Sequence, residues 1–192
     1  MIRIAVVGDI GSGKSYVAKQ FGYPVFNADN EVVKLYRKSQ KCYNNLKKIL
    51  PKYIFSFPIN KNEISRAIIA NQNNIKKISR VIHPEVRLSM NTFLKKNKRK
   101  KFIILDIPLL IENKINNKND ILIFIDAKKN KINKRLNKRP GFNKKIIDKF
   151  KKLQLPLEIK KKKSNCIIKN NFKHNSVKKN AKNVLEIISK ND

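Results

Sequence analysis

The chain opens on an apolar run from Ile2 to Val7 interrupted only by Arg3, and two more such runs come later, Phe102 to Leu105 and Ile121 to Ile125. Runs this short, rich in β-branched residues and without the alternation of a half-buried strand, predict parallel strands covered on both faces. The two later runs each end on a carboxylate, Asp106 and Asp126. Tyr23-Pro24-Val25-Phe26-Asn27 predicts a short second strand, and Ser164 to Ile168 a last edge strand. Between these runs the apolar period changes to that of helices. Tyr16 to Phe21 predicts the first helix and Glu31 to Arg37 the next, with Asp29 in position to cap it. Leu46, Ile49, Ile64, Ile68, Ile75, Ile78, Ile82 and Val86 predict a helical insertion over residues 38–100, broken at Pro51, Pro58 and Pro84. Pro84 suits the first turn of a helix, with His83 just before it. Ile132, Arg135, Leu136 and Arg139 fall on one predicted helix, with the arginines four residues apart on one face. Pro140-Gly141 ends it, and Phe142 to Leu155 predicts one more basic amphipathic helix, able to act as a lid. A closing helix from Val177 to Ile188 turns Ala181, Val184, Leu185 and Ile188 to the core.

This alternation predicts an α/β fold, a three-layer sandwich around a mainly parallel sheet. The segment just past the first strand gives that fold a chemistry. Gly8-Asp9-Ile10-Gly11-Ser12-Gly13-Lys14-Ser15 fills every fixed position of the phosphate-loop pattern Gly-x4-Gly-Lys-Ser. Glycines there let the backbone amides close round phosphate oxygens, and the new helix adds the positive end of its dipole. Lys14 would reach the terminal phosphates, and the Ser15 hydroxyl would be a magnesium ligand, because magnesium takes hard oxygen donors. Asp29 and Asp106 sit after predicted strands, where ligands collect in open parallel sheets. Asp29 suits a general base as well as a cap, roles that are compatible. Asp106 suits orienting magnesium-bound water or the nucleophile. Arg135 and Arg139 supply planar, always-charged forks for phosphate, or else a solvated basic face.

At 192 residues the chain predicts a single domain. No apolar run is long enough to cross a bilayer, and cleavage of a leader would destroy the loop, so neither a membrane nor a secretory destination is expected. Cys42 and Cys166 show no metal or pairing pattern and read as reduced thiols of a cytoplasmic protein. The net charge of +33 would suit nucleic acid. Yet Lys, Asn and Ile are enriched throughout, as an AT-rich coding sequence produces, and the run Lys95 to Lys101 reads as a solvated turn. The charge then draws anionic substrates and weak RNA adhesion at low salt, with no specific nucleic-acid partner.

Taken together, these motifs resemble the dephospho-coenzyme A kinase family over nearly the whole chain. The resemblance rests on the phosphate loop, Ala28-Asp29, His83-Pro84, Asp106-Ile107-Pro108-Leu109-Leu110-x-Glu112, Arg135-Leu136-x-x-Arg139 with Gly141, and Gln154. The Asp-Ile-Pro-Leu-Leu-x-Glu stretch discriminates most. The family implies phosphorylation of the ribose 3′-hydroxyl of dephospho-CoA by ATP with Mg2+, the closing step of CoA synthesis. It implies Asp29 as base, with Lys14 and Arg139 catalytic beside it and Arg139 in a mobile lid. ATP would contact Gly11, Ser12, Gly13, Lys14, Ser15, Tyr16, Arg135 and Asn170, the last near adenine, while His83, Arg87, Asp106 and Leu109 would serve the acceptor. The implied layout is a kinase core (1–28, 101–138 and 157–192), an acceptor-binding insertion (29–100) and a lid (139–156), in a monomer or weak homo-oligomer. The chain departs from the family at Asn27, a usual aspartate, at Asp9 and Val7, a usual glycine and threonine, at Ile132, a usual glutamine, and at Asn165 and Lys169, usual aspartates. Two other readings stay open: a nucleoside-monophosphate or other small-metabolite kinase, and an RNA-binding phosphate-loop protein.

Overall fold

In a computed structural model, residues 1–190 are described. The chain forms two compact units. The first, Met1–Asn27, Asn97–Phe142 and the residues from Lys151 on, is built on a five-stranded sheet. Its strands are β1 (Ile2–Gly8), β2 (Val25–Asn27), β3 (Phe102–Asp106), β4 (Ile121–Asp126) and β5 (Cys166–Lys169), all parallel in the order β2-β3-β1-β4-β5. One face carries Ile4, Val6, Ile104, Ile123 and Ile125, which form a core with α1 (Lys14–Gln20) and α9 (His174–Lys190). The alternate residues Ala5, Val7, Ile103, Leu105, Leu122 and Phe124 are buried as well. Burial on both faces is why these strands read as continuous apolar runs. Two further helices, α6 (Lys129–Asn137) and α8 (Leu157–Lys162), complete this unit.

The second unit, Ala28–Lys96 with Asn143–Phe150, is helical. It contains α2 (Ala28–Lys38), α3 (Gln40–Ile49), α4 (Lys61–Ala70), α5 (Asn73–Lys96) and α7 (Lys144–Lys151). The first three pack against α5, round Cys42, Leu46, Ile64, Ala67, Ile75, Ile78 and Ile82.

Several expectations change. Asp29 is not an N-cap: α2 starts at Ala28, directly after β2, so Asp29 and Glu31 are acids of its first turn, where they complement the helix dipole. Pro84 does not open a helix but lies inside the 24-residue α5. An interior proline costs about 3 kcal/mol. Burying Ile75, Ile78, Ile82 and Met90 along one stripe spanning it returns roughly 1.5–3 kcal/mol per side chain and outweighs that cost. Arg139 does not share a helix face with Arg135, because α6 stops at Asn137 and Lys138 is its C-cap. The residue before a proline avoids the α conformation, and Gly141 (φ 69°) completes the turn. The predicted single helix from 142 to 155 is shorter, since Asn143 Oδ1 accepts from Ile146 N (3.2 Å) to start α7 and the chain turns after Lys151.

Candidate active site

β1 ends at Gly8, and the loop from Gly8 to Gly13 turns back into α1. Two glycines are required by contact as well as conformation. At Gly8 (φ 146°) a Cβ would lie 2.7 Å from the Ile125 carbonyl oxygen. At Gly13 (φ 88°) it would collide with the Asn170 amide and come within 3.2 Å of the Phe172 ring. Gly13 is also the N-cap of α1 and provides no side-chain cap, so the first amides of that helix form an anion cradle. Lys14 folds over the same loop, its Nζ donating to the carbonyls of Asp9 (2.8 Å) and Gly8 (3.4 Å). The Asp9 carbonyl also takes Ser12 N (3.2 Å), and its carboxylate takes Ile10 N (2.7 Å). Ser12 is fully buried, with a hydroxyl that has no partner among the described residues. Ser15, on the first turn of α1, is exposed and offers a hard oxygen donor next to Lys14.

The segment after β5 backs this loop. Asn170 is buried; its N–H donates to Asp126 O (2.7 Å), its Nδ2 to Ser12 O (2.8 Å), and its Oδ1 accepts from Phe172 N (2.8 Å). Phe172 sits in the left-handed region (φ 64°), and the Arg135 guanidinium stacks 4.5 Å above its ring. One turn into α1, the Tyr16 hydroxyl pairs with His174 Nδ1 at 2.9 Å. Phe172 and His174 escape a sequence reading because no motif marks them. The signal available was a run of polar and aromatic residues just past a strand end, where ligands collect.

At the far side of the sheet's carboxyl end, Asn27 pairs in register with Asp106 and its side chain donates to the buried Asp106 carboxylate. A neutral amide at 27 spares this edge a second carboxylate facing the first. Leu109 comes next in a left-handed conformation (φ 53°) rare for a branched side chain, in the loop that leaves β3. Arg139 is exposed in the turn after α6.

The remaining site candidates belong to the helical unit. Asp29 lies two residues past β2. His83 and Arg87 are one turn apart on α5. Partial burial, and then the nearby Arg87 charge, hold His83 below the ordinary imidazole range, so it is neutral at physiological pH. On the same helix Glu85 is ion-paired with Lys41 (2.6 Å).

This architecture, a phosphate loop on the central strand of a parallel sheet, is common to many kinases, and the choice among them comes from comparison. The family model for CoaE, dephospho-CoA kinase, matches residues 2–176. The chain belongs to the dephospho-CoA kinase family. It is 30% identical over 193 residues to the dephospho-CoA kinase of Wolbachia pipientis wMel, covering 98% of both chains. Among solved structures it is similar to a Thermus thermophilus protein (TM-score 0.76, 24% identity, 97% and 96% of the two chains). It is also similar to the dephospho-CoA kinase from Campylobacter jejuni (TM-score 0.63, 21% identity, 97% and 96%). Family membership makes this an enzyme, a kinase of CoA biosynthesis. Among the described residues no helix is long and apolar enough to cross a membrane, and both cysteines are free.

Proposed function

We propose that the protein transfers the γ-phosphoryl group of ATP to the ribose 3′-hydroxyl of dephospho-CoA, giving CoA and ADP. The observation that carries this reading is the loop from Gly8 to Ser15, with its uncapped helix start and Lys14 folded across it, in a chain of this family. Phosphoryl transfer asks little covalent chemistry of the protein and depends on alignment and charge neutralisation. The loop amides and Lys14 hold the polyphosphate. Ser15 is the residue suited to hold Mg2+, whose part is to neutralise charge on the phosphates; its exposed hydroxyl fits that ion's preference for oxygen. Arg135 and Phe172 provide a stacked platform for the adenine, with Asn170 and Tyr16 beside it. Arg139, on an exposed turn, closes over the phosphates from the lid segment 139–156.

Asp29 accepts the proton of the 3′-hydroxyl as its oxygen bonds to the γ-phosphorus and ADP departs with the electron pair of the broken P–O bond. His83, Arg87, Asp106 and Leu109 are the residues assigned to the acceptor. Neutral His83 suits a hydrogen bond to the acceptor rather than a phosphate clamp, a role left to Arg87. The free thiols and the metabolite chemistry fit a cytoplasmic protein, a monomer or weak homo-oligomer in this reading. Phosphorus NMR of a reaction containing dephospho-CoA, ATP and magnesium tests the reading. A new phosphomonoester on the ribose 3′-position is expected, and ATP hydrolysis with unmodified dephospho-CoA would overturn it.

A further inference from the structure

Asp9 places a carboxylate inside a loop built to hold a polyanion, and the structure supplies an arrangement that restrains it. Lys160 on α8 is the one buried lysine among the described residues, with its side chain 3% exposed. It pairs with Glu112 Oε1 at 2.6 Å, and the same oxygen accepts Leu155 N at 3.0 Å. Gln154 lies between this ammonium and the loop. Its amide satisfies both neighbours when its oxygen faces Lys160 Nζ (3.3 Å) and its nitrogen faces Asp9 Oδ1 (3.2 Å). That Asp9 oxygen also takes Ile10 N, while the Asp9 carbonyl takes Ser12 N and Lys14 Nζ.

We propose that Gln154 and Lys160 are positioning residues of the phosphate loop: through the Gln154 amide, the buried Lys160 ammonium holds the Asp9 carboxylate against the loop backbone and partly offsets its charge, so that a loop bearing an acid accepts ATP. The amide dipole runs the right way for this, oxygen toward the cation and N–H toward the anion. A hydrogen bond polarised by a buried charge is stronger than one in water. Without Gln154 the carboxylate keeps only the Ile10 N–H as a restraint against turning toward the phosphates, and like charges in a partly buried site repel appreciably. Glu112, as the buried ion-pair partner, holds Lys160 in place.

The inference rests on the loop being an ATP site but not on which acceptor is used. Calorimetric titration with ATP and magnesium, with no acceptor present, therefore separates the two. Gln154→Leu is expected to weaken ATP binding by about tenfold, the scale of one charge-assisted hydrogen bond plus the repulsion it relieves. In the Asp9→Gly background the same substitution is expected to change affinity by less than about twofold, because nothing remains to restrain. Gln154→Glu, which sets a second carboxylate against Asp9, is expected to weaken binding further and to be relieved by Asp9→Gly; it carries the same test where the leucine variant melts too low to assay. An equal loss in both backgrounds would show that Gln154 only props the fold, and unchanged affinity in the native background would show that it does nothing for the loop; either result overturns the proposal.

Discussion

Asp29 occupies the first turn of α2, two residues past the end of β2. Under the proposed function this carboxylate is the base that takes the proton of an incoming hydroxyl. Asn at this position keeps the shape and removes the proton acceptor. Asp29→Asn is expected to lower kcat by about 100-fold or more while ATP affinity stays within a few-fold, read by steady-state turnover beside calorimetry. Near-native turnover would remove Asp29 from the base role. His83 makes a different kind of prediction. Its folded pKa is depressed, so as pH falls the unfolded chain takes up the proton first, and the stability present above about pH 6.5 declines toward the folded value. Wild-type protein should thus lose more in Tm than His83→Gln between about pH 7.5 and about pH 5.5, read by thermal unfolding at the two pH values. Equal losses would mean that the ring is not held neutral.

Element ends, more than element centres, separate the sequence reading from the structure. The phosphate loop and the strands β3 and β4 were legible, because buried parallel strands write themselves as apolar runs and the loop's glycines are fixed by contacts a Cβ could not survive. Prolines were harder to read. Pro140 does end a helix, but two residues earlier than the arginine spacing suggested, which moves Arg139 onto an exposed turn. Pro156 starts α8, an element hidden inside a stretch that charge alone made uniform; Pro-Leu-Glu was the available signal. Pro84 is carried by the buried stripe around it. Pro84→Ala should then restore a helix bond and raise stability by about 1 kcal/mol in urea unfolding, after the gain is discounted for the more flexible unfolded chain. A loss of stability would mean that the local bend of α5 is itself needed for packing. No periodicity could have revealed that Phe172 lies under Arg135, or that Lys160 is buried while its neighbours are not, since both are tertiary facts.

For the whole molecule, the catalytic reading divides labour between a sheet unit that holds phosphates and a helical unit that carries Asp29, His83 and Arg87. The charge of +33 adds a field that attracts anionic metabolites, and both ATP and a CoA precursor are polyanions. A field attracts any nucleotide, so it raises encounter rates without choosing among acceptors, and discrimination falls to the pocket. That division separates this account from a nucleoside-monophosphate kinase with the same loop and sheet, and from a protein that binds RNA through charge alone. The most direct test is kcat/KM for dephospho-CoA against AMP, CMP, GMP and UMP, measured with one enzyme preparation at fixed ATP and magnesium. The account predicts a preference for dephospho-CoA of at least about 100-fold, within what a site built for specific polar groups achieves. Comparable or faster phosphorylation of any of the monophosphates would contradict it.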